Sequence, residues 1–312
     1  MTHTPQVSVI MPAHNAQATI GWAIQSVLQQ THQDFELLVV DDGSTDATEA
    51  CARTHGDRVR YLRQARAGPA AARNRGASEA RGAFMAFLDA DDLWLRRKLD
   101  LQLQAFAQEP SLDAVQTSAY LVDDALEVVG ARPWDASHTA YLDFLLLRNL
   151  PAFSSSVMIR KGAFDAVGGF ATDLVMETWD MACRIARHGR LGGVPEYLVL
   201  YRRHAGNRSR NVGQHLETGL RSLNRLFTDP TLDPAIRSQQ ARIWARFYAM
   251  LCGGYFQNRE WGSCLYWASR ALATSPSVGP YMAGMPLRHL GRALSSVPRF
   301  SVDDELPFVE AA

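Results

Sequence analysis

Apolar residues in the first ninety positions fall into short solid runs, separated by segments where they recur every three or four residues. Val7 to Met11, Leu37 to Val40, Val59 to Leu62 and Phe84 to Leu88 have the length and character of buried strands. Between the first two, Ile20, Ala23, Ile24, Val27 and Leu28 mark one face of a helix beginning near Ala16. Further helices are predicted from about Thr45 and about Pro69. Such alternation predicts an α/β fold, Rossmann-like, with a mainly parallel sheet flanked by helices. A helix over 94–108 follows, and Glu109-Pro110 ends it.

From 113 to 210 the pattern is mixed. Ala114 to Tyr120, Ser154 to Ile159 and Tyr197 to Tyr201 read as strands, and a Gly168-Gly169 turn precedes a helix over 178–188. After Asn211 only helical periodicity remains, at 213–227, 234–256 and 260–273, punctuated by Pro230, Pro234, Pro276, Pro280 and Pro286. The chain therefore divides into a domain over 1–210 and a C-terminal helical region over 211–312. The last helical pair resembles one tetratricopeptide-like hairpin, with no second copy. The region is suited to packing on the first domain, to homodimer formation, or to peripheral membrane contact through Tyr281 to Leu290 and Arg292, which mix apolar and basic residues.

Composition narrows this picture. With 312 residues, 47% of them hydrophobic, the chain can bury a substantial core. Its 32 basic and 32 acidic side chains balance, which speaks against a nucleic-acid partner and makes any anion site local. The four cysteines show no CxxC spacing, so reduced thiols and a cytoplasmic setting are expected. The start of the chain lacks the pattern of a signal peptide, and no apolar run approaches the roughly 18 residues that a membrane span requires.

The chemistry concentrates at strand ends. Phe84-Met85-Ala86-Phe87-Leu88 runs into Asp89-Ala90-Asp91-Asp92, and carboxylates clustered beside a buried sheet repel one another unless a cation sits among them. Hard oxygen ligands of this kind suit Mg²⁺ or Mn²⁺, although acids at a strand end are also common as solvated loops. Asp41-Asp42-Gly43-Ser44 forms a second acidic edge, equally readable as a turn followed by a helix cap. Pro12-Ala13-His14-Asn15 closes the first strand. Gly68-Pro69 opens a helix carrying Arg73 and Arg75, and an arginine facing the acidic edges could pair with a diphosphate.

The order of these pieces resembles the family 2 glycosyltransferases, which have a GT-A nucleotide-diphospho-sugar transferase fold. The resemblance covers roughly residues 6 to 210. It rests on Val7 to Asn15, Val39 to Asp46, Ala72 to Gly76 and Phe87 to Asp92, in that order and spacing. It implies that Pro12, Asn15, Asp41 and Asp42 contact the nucleoside, with Arg73 a further nucleotide contact. It also implies that Asp89 and Asp91 meet the ribose and the metal. Tyr201-Arg202-Arg203-His204 looks like the family's closing segment, which makes His204 a further metal ligand and brings Arg208 and Arg210 to the diphosphate.

Met176-Glu177-Thr178-Trp179-Asp180 departs from the family, whose usual Glu-Asp supplies the base that deprotonates the acceptor. Thr178 stands in the aspartate's place, leaving Glu177 as the first candidate base and Asp180 as the second. The resemblance implies an inverting, metal-dependent hexosyltransferase. Its donor would be a nucleotide-diphospho-sugar, most often UDP-linked, and its acceptor a glycan or lipid-linked saccharide of surface polysaccharide synthesis. Two other readings stay open. One is a nucleotidyltransferase, which would usually carry a Gly-rich basic loop after the first strand, and the other a nucleotide-binding assembly protein without turnover.

Overall fold

The computed structural model describes residues 3–136, 139–148, 154–204, 212–284 and 306. Among the described residues nine strands form one sheet: β1 (Val7–Ala13), β2 (Phe35–Asp42), β3 (Arg60–Gln64), β4 (Phe84–Phe87), β5 (Leu93–Trp94), β6 (Ala114–Val122), β7 (Val128–Arg132), β8 (Met158–Arg160) and β9 (Leu191–Arg202). Their order is β3-β2-β1-β4-β8-β6-β9-β5, with β7 attached to β6.

The first half is parallel as the pattern predicts: β1 lies between β2 and β4 and runs parallel to both, and β3 continues the series on β2. The second half is mixed. Strand β8 is antiparallel to β4 and β6, and β5 is antiparallel to β9, while β6 and β9 pair in parallel. The expected strand over Ser154 to Ile159 is a 3-10 turn at Ser154–Ser156 followed by the short β8. Trp94, expected to start a helix, instead lies in β5 opposite Val199.

Helices α1 (Ile20–Leu28), α2 (Thr48–Arg53), α3 (Pro69–Glu79) and α4 (Lys98–Gln108) link the strands of the first half. In α1 the buried positions Ile20, Ala23, Ile24 and Val27 are those the periodicity marks. Helix α3 lies very close to the sheet: a Cβ on Gly76 would meet the Ile10 Cγ2 at 2.4 Å. Helices α5 (Tyr141–Leu145), α6 (Lys161–Ala166) and α7 (Glu177–His188) belong to the second half.

Helices α8 (Val212–Thr228), α9 (Pro234–Arg237), α10 (Gln240–Gln257), α11 (Trp261–Thr274) and α12 (Gly279–Ala283) follow. Phe227, Ile243 and Phe247 of these helices join one hydrophobic cluster with Phe144, Trp179 and Ile185. Arg187 reaches Asp229 at 2.6 Å, and the Arg246 Nε donates to the Leu146 carbonyl at 2.8 Å, so polar contacts reinforce that packing. Among the described residues no helix is long and apolar enough to cross a membrane.

Candidate active site

Because β1 is parallel to both neighbours, the C-terminal ends of β2, β1 and β4 open on the same side of the sheet, where ligands bind in open α/β folds. The acidic segments therefore meet along one edge.

At the first two ends, side chains lace the loops together. Asn15 has a left-handed backbone (φ 49°), which asparagine tolerates better than most residues. Its Oδ1 accepts from the Thr45 N–H at 2.9 Å, and its own N–H donates to the Ser44 Oγ at 3.0 Å. Pro12 is buried within β1. Asp41 is fully buried and accepts hydrogen bonds from the Ser44 N–H, at 2.7 Å, and the Tyr61 hydroxyl. Burial pushes its carboxyl up, but those two bonds and nearby Arg63 outweigh it and leave it below the usual carboxylate range. Asp42 accepts from the Gln64 amide at 2.8 Å and from the N–H groups of Ala67 at 2.7 Å and Gly68 at 2.8 Å. It anchors the loop that opens α3, while the His14 Nδ1 donates to the Asp42 carbonyl and Arg66 donates to the His14 Nε2.

The third end has the densest charge. Arg73 reaches out from α3, buried, and donates to Asp89 Oδ1 at 2.6 Å, to Glu177 Oε1 at 3.0 Å and to the Ser154 Oγ at 3.0 Å. Its guanidinium also lies 5.4 Å from the centre of the Phe170 ring. Burial opposes that charge, but the carboxylates of Asp89 and Glu177 more than offset it and hold the arginine firmly protonated. The Ser154 hydroxyl closes the ring by donating to Asp89 Oδ2 at 2.9 Å.

Asp92 is fully buried and accepts from the Ser155 hydroxyl at 2.5 Å and the Arg202 N–H at 3.0 Å. Burial, reinforced by the charges of Asp91 and Asp89, pushes its carboxyl well up. Asp91 points elsewhere. Its Oδ2 lies 3.0 Å from the His204 Nε2, and both side chains are about one-third exposed. The hydrogen bond to Asp91 raises the His204 imidazole above its ordinary value despite partial burial.

Strand β9 thus carries His204 across 113 positions to Asp91. Arg202, just before it, braces the same turn by donating to the Asp91 carbonyl at 3.0 Å and to the Asp124 carbonyl at 2.9 Å. The expected metal set of Asp89, Asp91 and His204 is thereby split, with both Asp89 oxygens turned to Arg73 and Ser154. Among the described residues, no three His, Cys, Asp or Glu side chains converge as a complete metal site.

The two candidate bases differ in setting. Glu177 opens α7, is 5% exposed, and joins Asp89 through Arg73. Asp180 is paired with Arg184, whose Nε donates to it at 2.7 Å. Arg208 and Arg210 lie outside the described residues. Sequence reasoning missed Ser154, Ser155 and the bracing role of Arg202. Three consecutive serines just before an apolar strand are the signal that could have marked the first two.

The mixed sheet, its covering helices and the three converging strand ends define a GT-A fold. The S. aureus TarS 1–349 structure in complex with UDP-GlcNAc superposes with a TM-score of 0.66 at 17% identity, over 92% of this chain and 89% of that one. The mannosyltransferase PcManGT from Pyrobaculum calidifontis, in complex with GDP-Man and Mn²⁺, gives a TM-score of 0.58 at 18% identity, over 95% of this chain and 82% of that one.

Residues 8–168, about half of the chain, match the family described as Glycosyl transferase family 2, and the protein belongs to that family. It is 46% identical over 99 residues to the Escherichia coli UDP-Glc:alpha-D-GlcNAc-diphosphoundecaprenol beta-1,3-glucosyltransferase WfgD, covering 31% of this chain and 39% of the relative. The chain spans between 20% and 39% of the length of curated relatives such as these.

Proposed function

We propose that the protein is an inverting glycosyltransferase that moves a sugar from a nucleotide-diphospho-sugar, UDP-linked, to an acceptor hydroxyl. The acceptor belongs to a surface polysaccharide or a lipid-linked glycan, and the reaction takes place at the cytoplasmic face of the membrane. The observation that carries this reading is the Asp91–His204 pair, 3.0 Å apart and partly exposed, beside the Arg73–Asp89–Glu177 cluster on one sheet edge.

A hard cation fits this edge. Asp91 and His204 offer one carboxylate and one imidazole, and Mg²⁺ or Mn²⁺ commonly completes a sparse protein set with water and substrate phosphate oxygens. Bound there, such an ion would stabilise the charge of the departing diphosphate. Asp89 is the ribose-side carboxylate, held in orientation by Arg73 and Ser154. The loops fixed by Asn15, Asp41 and Asp42 form the nucleoside end together with Pro12, and Arg208 and Arg210 are assigned to the diphosphate.

Glu177, the carboxylate joined to the donor edge, is assigned to accept the proton of the attacking hydroxyl. Placing hydroxyl and anomeric carbon in line then gives one displacement with inversion. Asp180 is the second candidate. Incubation with UDP-Glc, UDP-GlcNAc and GDP-Man in Mn²⁺, with nucleotide release and Mn²⁺-dependent binding as readouts, tests the reading. Absence of both for every donor would refute it. Glu177→Gln should lower turnover by about 10²–10⁴-fold with nucleotide binding retained, whereas Asp180→Asn should lower it far less.

Two observations favour a second reading, a nucleotide-binding protein without turnover: Thr178 replaces the aspartate, and Glu177 is held by Arg73. Turnover that appears only in Thr178→Asp would select it.

A further inference from the structure

Away from the acidic edge, a cavity of about 510 Å³ lies between the end of α5, helix α10 and the turn before α12. That volume is typical of small-molecule sites. Among the described residues, three arginines line it, Arg148, Arg242 and Arg246, against a single acid, Asp135.

Arg242 and Arg246 are one helical turn apart on α10, so they present to the same side. Arg246 is fixed in place: its Nε bonds the Leu146 carbonyl, and its guanidinium lies 3.3 Å from the centre of the Tyr281 ring. Arg148 is held by Asp143 at 2.9 Å. Arg242 lines the cavity with no hydrogen bond or ion pair to any described residue. Leu146, Val278 and Tyr281 supply apolar wall beside the cations. The described helical stretch 234–284 carries five arginines, Arg237, Arg242, Arg246, Arg259 and Arg270, against one acid, Glu260.

Short stretches of chain and one side-chain bond link the cavity wall to the elements of the acidic edge. Arg148 is six positions before Ser154, so chain geometry keeps their Cα atoms within about 22 Å, and the Ser154 hydroxyl touches Asp89. The Trp179 indole donates to the Phe144 carbonyl at 2.9 Å, which ties α7 to the segment forming the cavity wall.

We propose that this cavity binds a phosphate or diphosphate group, with Arg242 as the open donor and Arg148 and Arg246 as fixed flanking charges. Arginine forks match phosphate oxygens in geometry and charge. Identifying the occupant as the anionic end of the acceptor rests on the function proposed above, whereas anion binding itself does not.

The test is calorimetric titration of the full chain with inorganic pyrophosphate in EDTA, which silences a metal-dependent donor site. Wild type should bind, Arg242→Ala should bind about ten-fold more weakly, and Arg242→Glu should not bind. No binding by wild type, or equal binding by all three, overturns the proposal. Thermal midpoints and Mn²⁺-dependent UDP binding should be the same in the variants, which separates loss of this site from misfolding. Farnesyl diphosphate binding more tightly than pyrophosphate assigns the site to a prenyl-linked ligand, and equal affinity assigns it to a free phosphate compound. Failure here with active sugar transfer leaves the proposed function standing, and pyrophosphate binding without transfer does the reverse.

Discussion

Replacing Arg73 by methionine removes the cation between two carboxylates while keeping most of the side chain's volume. The Arg73 side chain is 4% exposed, as against 6% for that of Glu177 and 27% for that of Asp89. Asp89 keeps Ser154 and some access to water, so its loss is partial. Glu177 is left as a buried charge without its cation, and breaking a buried pair on one side costs about 3–5 kcal/mol. At about 1.5 °C per kcal/mol for a chain of this size, the unfolding midpoint should fall by roughly 5–8 °C.

Removing both partners is a different perturbation, because an apolar side chain facing a neutral amide leaves no stranded charge. Arg73→Met combined with Glu177→Gln should therefore lose less than the two single variants together, with a coupling on the order of 1–3 kcal/mol. Urea unfolding of the four proteins at pH 7 measures it. Additive losses, or a single-variant midpoint within about 2 °C of wild type, would show that the buried ion pair does not hold α7 to the sheet edge.

Gly76→Ala should destabilise by about 1–3 kcal/mol, against helix propensity, because the new methyl would sit 2.4 Å from the Ile10 Cγ2; a raised midpoint would refute the close approach. Lys98 is fully buried, donates to the Gln102 Oε1 at 2.7 Å and lies 3.8 Å from the centre of the Trp94 ring; burial pushes its amine well below the usual lysine range. The unfolded chain then binds more protons between the folded value and about 10.4, so wild-type stability rises with pH through that window. Lys98→Met should be more stable than wild type at pH 7, with the advantage shrinking toward pH 10; a pH-independent difference in urea midpoints contradicts this. The Cys252 and Cys264 sulfurs are 3.3 Å apart, and burial with the bond to Cys264 pushes the Cys252 thiol up to about 12. Diamide should couple them slowly at pH 7.5, seen as a two-hydrogen mass loss that Cys264→Ser abolishes, and closure should stabilise by about 3 kcal/mol.

The parallel half of the sheet was readable because its strands are continuous apolar runs and α1 keeps strict helical spacing. The second half was harder for a physical reason. Strands such as β5, two residues long, and β7, whose Val128 and Val129 are exposed, carry no burial pattern of their own and exist through pairing with β9 and β6. At the site, acids at strand ends announced themselves by charge beside apolar runs. Their division of labour did not, because it depends on contacts distant in sequence. Asp92 is buried by Ser155 and Arg202, Asp89 is occupied by Arg73, and only Asp91 meets His204. Asp41 and Asp42 were legible as an acidic turn, and the loop hydrogen bonds their carboxylates accept are those such a turn supplies.

The hydrophobic cluster that runs from Phe144 and Trp179 into Phe227, Ile243 and Phe247 makes the rear helices a structural wall for α5 and α7, and with them for Glu177. A chimera joining the strand half of this chain to rear helices of foreign sequence would therefore keep the strand edges but face them with a mismatched wall. Grafting across this family should succeed when the exchanged piece carries α5, α7 and their rear partners together, so inheritance of whatever lies behind α7 is block-wise rather than residue by residue.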